Sequence, residues 1–276
     1  MKTVLKMFGI FVLVYVGLSL LLVGCQRKMI YYPSHDSEES LLQGAQTKGM
    51  SAWRNADGEL IGWKASVLHN GKGRNAVVVF HGNAGYALHR DYLINGFLAL
   101  DDQQSWTIHV FEYPGYGARK GPPSEEHIKA TAGEAVKSLF NENYDHIFLV
   151  GESIGTGVAT HLAEQFSERI KGVLLITPFT SLVDVGKTHY PFFPIEWLLR
   201  ERYDNIEPLK GYGGPVAFLI AEADEIVTAS LGHKLYETYS GPKKLWVQKG
   251  RRHNTLNYDP RASWWKEVVS FFQTTH

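Results

Sequence analysis

The feature that most constrains the fold is a G-x-S-x-G pentapeptide at residues 151–155, which stands between a strand pattern and a helix pattern. Residues 144–150 before it end in a short apolar run, which is typical of a buried strand. Small, helix-compatible residues follow at 156–163. In such a strand–turn–helix the glycines allow close backbone approach, and the turn presents the serine hydroxyl. We therefore predict that Ser153 is a nucleophile; a glycine-rich turn without a chemical role is the alternative.

A serine hydroxyl is a weak nucleophile, so it needs an adjacent base and a carboxylate that orients the base. Downstream of the serine, Asp224 follows an apolar strand at 215–220, and His253 follows the last predicted strand at 243–248. Residues beyond the carboxyl ends of neighbouring parallel strands meet at one edge of a sheet. We predict Asp224 as the acid and His253 as the base. Two nearby carboxylates are the alternatives for the acid: Glu222 and Glu225.

The chain holds twelve histidines, so the choice of base needs an argument. His161 falls within the helix after the serine, His189 lies in an irregular aromatic segment, and His233 is predicted on a helix surface. Only His253 follows a late strand at the required edge of the sheet.

A tetrahedral intermediate needs hydrogen-bond donors for its oxyanion. One donor is expected from the amide that follows the nucleophile, which is that of Ile154. The second is expected in the loop at 81–85, which follows an apolar strand at 76–80 and contains two glycines. We predict the backbone N–H of Asn83 as this donor; a tight turn with no ligand is the alternative.

Three motifs in order, F-H-G-N-A-G at 80–85, E-Y-P-G-Y-G at 112–117 and the serine pentapeptide, resemble those of α/β-hydrolases. Within that superfamily the chain resembles the Bem46/ABHD13/ABHD17-type serine hydrolases, from about residue 50 to 275. The resemblance implies a Ser-Asp-His triad and no cofactor. The chain departs from the family pattern at Ala221, where a glycine is usual, and at Thr228, where a proline is common.

Arg251 and Arg252 stand before the predicted base, where small residues are common in relatives. Two fixed positive charges there could attract an anionic substrate, such as a phospholipid headgroup or a carboxylate. The alternative is a pair of solvated loop arginines.

Strand and helix patterns alternate along the rest of the chain, which predicts an α/β fold with a mostly parallel sheet and helices on both faces. A short cap is expected at about 178–214, between two strands. It contains Phe192 and Phe193 in an aromatic cluster. These two side chains are candidates for an acyl-binding wall; a cap core that only packs down is the alternative.

Composition limits the other function classes. The chain has 276 residues, which fits one domain of ordinary size, and 28 basic residues balance 28 acidic ones. A nucleic-acid binder would show a basic excess, so that class is not expected. Neither metal-ligand spacing nor a phosphate-binding glycine motif occurs, so we expect no metal and no cofactor.

The N-terminus carries a second signal. Lys2 and Lys6 precede an uncharged apolar run from Met7 to Val23, and the single cysteine of the chain, Cys25, follows at once. The sequence before this cysteine looks like a bacterial lipobox. We predict a signal peptide at 1–24, a lipid-anchored tether at 25–48 that begins with lipidated Cys25, and the hydrolase domain at 49–276. An uncleaved anchor helix is the alternative.

Together these patterns predict a membrane-anchored serine hydrolase that cleaves carboxylic ester or thioester bonds of acyl lipids or acylated molecules. Its expected location is the bacterial cell envelope. Gln26 follows the cysteine in place of the aspartate that is associated with inner-membrane retention, which favours the periplasmic face of the outer membrane in a Gram-negative cell; the inner membrane is the alternative. A serine peptidase or amidase is one alternative, and a non-catalytic lipoprotein that uses the fold as a binding module is another.

Overall fold

The computed structural model of the chain describes residues 1–69, 73–100 and 104–275. Its strands are β1 (Tyr32–Pro33), β2 (Ser51–Arg54), β3 (Leu60–Val67), β4 (Arg74–Phe80), β5 (Ala84–Gly85), β6 (Ser105–Phe111), β7 (His146–Glu152), β8 (Ile170–Ile176), β9 (Val216–Ala221) and β10 (Lys243–Gln248). Its helices are α1 (Lys2–Ile30), α2 (Glu38–Thr47), α3 (Asp91–Leu98), α4 (Glu125–Leu139), α5 (Gly155–Gln165), α6 (Leu182–His189), α7 (Ile195–Leu198), α8 (Ile206–Tyr212), α9 (Ala229–Thr238) and α10 (Ser263–Thr274).

Eight of the strands form one sheet in the order β10-β9-β8-β7-β4-β6-β3-β2. The pairs from β10 to β6 are parallel, whereas β3 runs antiparallel to both β6 and β2. The central strands are apolar along nearly their whole length, as expected for a parallel sheet that is covered on both faces. The predicted α/β-hydrolase fold with a mostly parallel sheet is confirmed.

Two hydrophobic cores lie on the two faces of this sheet. Successive side chains of a strand point to opposite faces, so Leu149 and Val150 of β7 enter different cores. Leu149 belongs to the core that contains Val158 of α5, and Val150 to the core that contains Trp265 of α10. The helices therefore hold β7, and with it the serine turn, from both sides.

The predicted strands agree with the observed ones to within about two residues. The sequence also predicts a helix at about 88–101, after the strand at 76–80, and here the structure differs. A single 3₁₀ turn at Ala87–Arg90 comes first, α3 ends at Leu98, and residue 101 lies outside the described residues.

The segment that composition predicts to be a polar tether is structured where it follows α1. Tyr31 is 4% exposed, and β1 pairs in parallel with β5, which follows β4. Ser37 caps α2 by accepting a hydrogen bond from the amide of Ser40, and Leu41 and Ala45 of that helix are buried. The chain between α1 and β2 therefore packs on the body of the protein.

Helix α1 is 29 residues long and is apolar enough by length and composition to cross a membrane. Only a small part of it is covered by the rest of the protein. The cap lies between β8 and β9, as predicted from the sequence, and consists of α6, α7 and α8.

Candidate active site

Ser153 lies in the sharp turn between β7 and α5, with a φ of 52°. A non-glycine residue in this left-handed region is strained, and such strain concentrates at functional sites. The neighbouring glycines are required by space. A Cβ atom on Gly155 would lie 2.1 Å from the carbonyl oxygen of Phe80, and one on Gly151 would lie 2.5 Å from that of Gly155. The close contact of the start of α5 with β4 therefore explains Gly155, and its close contact with β7 explains Gly151.

Asp224 and His253 are brought together by the loops that follow β9 and β10. Oδ2 of Asp224 lies 2.7 Å from Nδ1 of His253, and Oδ1 accepts hydrogen bonds from the amides of Ile226 and Val227, at 2.9 and 2.8 Å. A carboxylate at Nδ1 favours the tautomer that carries its proton there, which leaves Nε2 able to accept a proton. The pair has the arrangement of an oriented general base.

A cavity of about 270 Å³ opens beside the serine. Ser153, Ile154 and Asn83 line it together with Ile226 and Val227, whose amides hold the aspartate. The rest of the lining is mainly apolar. It comes from α1 (Leu22, Val23, Gln26, Met29, Ile30) and from the cap (Phe179, Leu182, Val185, Gly186, His189, Tyr190, Ile195, Leu198, Leu199).

The two residues predicted to supply the oxyanion donors, Asn83 and Ile154, line this cavity together with the serine. Ile154 immediately precedes α5, and the first amides of a helix have no partner inside it. The carbonyl oxygen of Asn83 accepts two hydrogen bonds, from the hydroxyl of Tyr116 at 2.7 Å and from the amide of Tyr32 at 2.9 Å. Its side chain donates to the carbonyl of Ile30, the last residue of α1, at 2.7 Å. The loop with the predicted donor is therefore restrained by the N-terminal segment.

Glu152, the residue before the serine, links three parts of the site. Its carboxylate accepts hydrogen bonds from Nε of Arg90 at 2.9 Å and from the hydroxyls of Tyr92 and Tyr258 at 2.5 and 3.2 Å. Burial alone would raise the pKa of Glu152, but Arg90 and the two hydroxyls hold the pKa below its usual value. Because Tyr258 follows the loop of His253, this network ties the serine turn to the chain that carries the predicted base.

The four residues predicted to bind substrate are not among the residues that line this cavity. Phe192 is 86% exposed, and Phe193 stacks on Tyr15 of α1 with ring centroids 5.5 Å apart. Arg251 and Arg252 are exposed in the loop before the histidine. Cys25 is half-buried within α1, which continues through it without a break.

Two contributions to the cavity are missing from the sequence-based prediction. His189, set aside as a residue of an irregular segment, ends α6, lines the cavity and contacts the carbonyl oxygen of Ile226 through Nε2 at 2.8 Å. Helix α1 forms one wall, with Leu22 and Val23 among its lining residues. The polar residues within the apolar run, such as Tyr15, were the signal that α1 has a packed face.

Comparison with known proteins agrees with this architecture. Residues 75–205 match the sequence profile described as "alpha/beta hydrolase fold". An uncharacterized protein of Mycobacterium tuberculosis (strain H37Rv) is 33% identical over 257 residues, which are 91% of this chain and 88% of that protein. The chain belongs to the α/β-hydrolase family. Its resemblance to the Bem46/ABHD13/ABHD17 type within that family stays a prediction.

This α/β-hydrolase is also similar to curated lipases. The mouse lysophosphatidylserine lipase ABHD12 is 29% identical over 202 residues, which are 67% of this chain and 50% of that protein. The chain thus spans about half the length of this relative.

Solved structures share the fold at low sequence identity. An α/β-hydrolase of Vibrio vulnificus has a TM-score of 0.64 at 19% identity and covers 84% of this chain and 85% of its own. The Est1E protein of Butyrivibrio proteoclasticus with bound ferulic acid has a TM-score of 0.63 at 14% identity, over 82% and 99% of the two chains. A Pyrococcus furiosus esterase has a TM-score of 0.61 at 17% identity, over 82% and 90%.

Proposed function

We propose that this α/β-hydrolase is a membrane-anchored serine hydrolase that cleaves carboxylic ester or thioester bonds of acyl lipids or acylated molecules. The observation that carries the proposal is the 2.7 Å contact between Asp224 and His253. Asp224 is bound by the amides of Ile226 and Val227, and these two residues line the same cavity as the strained Ser153.

In the proposed reaction, Nε2 of His253 removes the proton of the Ser153 hydroxyl as its oxygen attacks the acyl carbon. The carbonyl oxygen becomes an oxyanion, which receives hydrogen bonds from the amides of Asn83 and Ile154. The imidazolium, stabilised by Asp224, then gives its proton to the departing alcohol or thiol. Water attacks the acyl-serine by the same sequence of proton transfers and releases the acid.

The chemistry of the cavity supports an acyl substrate. Its lining is mainly apolar, with a small number of polar groups near the serine, as is usual for a site that orients an apolar ligand. The mouse relative is a lysophosphatidylserine lipase, which supports a lipid ester as the substrate. We extend the proposal to an anionic headgroup near Arg251 and Arg252, because both arginines are exposed beside the base.

The proposed membrane anchor is the N-terminal segment. Cleavage before Cys25 with lipidation of that cysteine would anchor the chain through acyl groups, as the lipobox resemblance predicts, with the hydrolase domain following at 49–276. The contacts of α1 favour a retained helix, because cleavage would remove Tyr15, Leu22 and Val23, which contact the cap or line the cavity. Intact-mass measurement of the protein extracted from membranes distinguishes the two forms and also tests the predicted bacterial envelope location.

A fluorophosphonate probe tests the proposed nucleophile. We expect labelling at Ser153 in the wild type and none in Ser153→Ala, which should also lose hydrolysis of p-nitrophenyl butyrate. Ser138→Ala, at an exposed serine of α4, is the matched control and should behave as the wild type. Full turnover by Ser153→Ala would refute the assignment. Faster cleavage of aminoacyl amides than of esters would replace it with the amidase alternative.

A further inference from the structure

The most buried residues of helix α1 are polar and its most exposed residues are apolar, which is the opposite of a helix of a water-soluble protein. Its packed side carries polar residues: Ser19 and Gln26 are 9% and 8% exposed. Its outward side is apolar, with Phe11, Leu13 and Leu20 more than 60% exposed. A soluble helix buries its apolar face, whereas a helix in a bilayer turns polar groups toward protein. This pattern fits a helix whose outer side contacts lipid.

The uncharged length of α1 fits the thickness of a bilayer. Charged residues are absent between Lys6 and Arg27. That length of helix measures about 30 Å at 1.5 Å per residue, which matches the hydrocarbon core. Tyr15 lies near the middle of this stretch and contacts the cap: its hydroxyl donates to the carbonyl of Phe192 at 2.9 Å, and its ring stacks on Phe193.

The cap therefore lies beside the membrane-spanning part of α1. Phe192 and Trp197 of this region are both 86% exposed, and large exposed aromatic side chains are characteristic of contact with a bilayer. Lys187 and Glu196 lie in this part of the cap and pair with each other at 3.1 Å, so each of these two charges has a partner of opposite sign.

Specific polar contacts hold α1 in this position. The side chain of Gln26 accepts a hydrogen bond from the amide of Arg200 at 2.7 Å and donates to the carbonyl of Leu198 at 3.3 Å. Arg27 pairs with the buried Glu201 at 2.7 Å. Because the side-chain oxygen and nitrogen of Gln26 both bond to the cap, the register of α1 against the cap is fixed at the C-terminal end of the helix.

From these observations we propose that the cleft between α1 and the cap is the acyl-chain site, and that a lipid ester of the bilayer passes its chain into it directly from the membrane. This inference rests on the proposed function, since it identifies the part of the cavity beside Ser153 that holds the acyl chain of the substrate. Leu22, Val23 and Met29 of the retained helix form the wall that the chain contacts. The anchor is thus also part of the substrate site.

Chain-length selectivity of full-length protein in phosphatidylcholine vesicles tests the proposal. We compare kcat/KM for p-nitrophenyl dodecanoate and p-nitrophenyl acetate in the wild type, in Val23→Trp and in Leu20→Trp. Val23 lines the cavity, whereas Leu20 lies on the same helix with 66% of its surface exposed, so the latter variant is the matched control. Fluorophosphonate labelling of Ser153 is measured in all three proteins.

We expect Val23→Trp to lower the dodecanoate-to-acetate ratio by about tenfold or more, since the indole would displace roughly two methylene groups from buried contact. Leu20→Trp should keep the ratio of the wild type. An unchanged ratio in Val23→Trp with normal labelling overturns the acyl-site proposal and leaves the proposed nucleophile intact. If Val23→Trp loses labelling, the smaller Val23→Phe is judged by the same ratio. Absence of labelling in the wild type would instead reject the proposed function itself.

Discussion

The side-chain amide of Asn83 donates a hydrogen bond of 2.7 Å to the carbonyl oxygen of Ile30. This contact satisfies one of the carbonyls that have no partner at the end of a helix. It also joins the N-terminal helix to the loop whose backbone is the proposed oxyanion donor. The N-terminal helix and the loop of the proposed oxyanion donor are therefore directly connected.

Asn83→Ala removes this link but keeps the backbone N–H that the mechanism uses. A hydrogen bond of this kind contributes about 1 kcal/mol, so we expect kcat to fall about fivefold if the restraint holds the loop in place. Steady-state kinetics with p-nitrophenyl butyrate measure kcat of this variant and of the wild type. An unchanged kcat would show that the other bonds of the loop suffice to position it.

Asp224→Asn tests the proposed acid. The amide would present donors to Nδ1 of His253 and favour the wrong tautomer, so we expect kcat to fall by about 10³–10⁴-fold. Glu222→Gln and Glu225→Gln are controls in the same loop. Both carboxylates are exposed, and both variants should keep wild-type rates. If Glu225→Gln lowered kcat as much as Asp224→Asn does, the assignment of Asp224 as the acid would be wrong.

The carboxylate of Glu152 should make the free energy of unfolding depend on pH in the acid range. Its pKa in the folded protein lies below the ordinary value of 4.5. The carboxylate therefore stabilises the fold above about pH 4.5, and this contribution is lost as the pH falls through the lower, folded-state pKa. Glu152→Gln should lower the free energy of unfolding at pH 7 by about 3 kcal/mol, because Arg90 loses its charged partner.

Urea unfolding at several pH values measures this effect. The loss of stability on acidification should be smaller in Glu152→Gln than in the wild type. Glu134→Gln, at an exposed position of α4, is the control and should keep the pH profile of the wild type. Parallel profiles for wild type and Glu152→Gln would contradict the prediction.

His189 is expected to position the acid loop through Ile226. His189→Leu removes its contact with the Ile226 carbonyl, and we expect kcat to fall about fivefold for the loss of one hydrogen bond. His189→Gln keeps a donor and should recover part of the rate. An effect on KM alone, equal in both variants, would indicate a role in packing against substrate.

Phe192 and Trp197 should matter only at a membrane. We expect Phe192→Ser and Trp197→Ser to lower hydrolysis of vesicle-bound lysophospholipid severalfold, because exposed aromatic rings favour the interface. Turnover of soluble p-nitrophenyl butyrate should stay unchanged. Leu68→Ser removes an exposed apolar side chain from the end of β3 and serves as the control. Equal losses on both substrates would point to a folding defect.

Much of the fold is readable from the sequence because its signals are local. Apolar runs bounded by glycine-rich turns predict the central strands. The positions of Asp224 and His253 just after two late strands select these residues, and the structure brings Oδ2 of Asp224 within 2.7 Å of Nδ1 of His253. The helix α2 also had a local signal in Ser37, followed by two glutamates and by Leu41 and Ala45 on one face. Its polar composition concealed that signal.

The features that the sequence does not predict depend on contacts between segments that are distant in the chain. The stacking of Tyr15 on Phe193 joins residues 178 positions apart, and no periodicity within either segment reveals it. The cap shows the same limit. Its aromatic cluster suggests that Phe192 and Phe193 line the substrate site. In the structure both lie between α6 and α7, where Phe192 is exposed to solvent and Phe193 stacks on α1, whereas His189 lines the cavity.

The wall that α1 contributes has a practical consequence for enzymology. Removing the first 24 residues to obtain a water-soluble preparation would delete Leu22 and Val23 from the pocket and widen it on one side. Rate constants and inhibitor rankings from such a shortened preparation would describe a pocket of a different shape from that of the full-length chain.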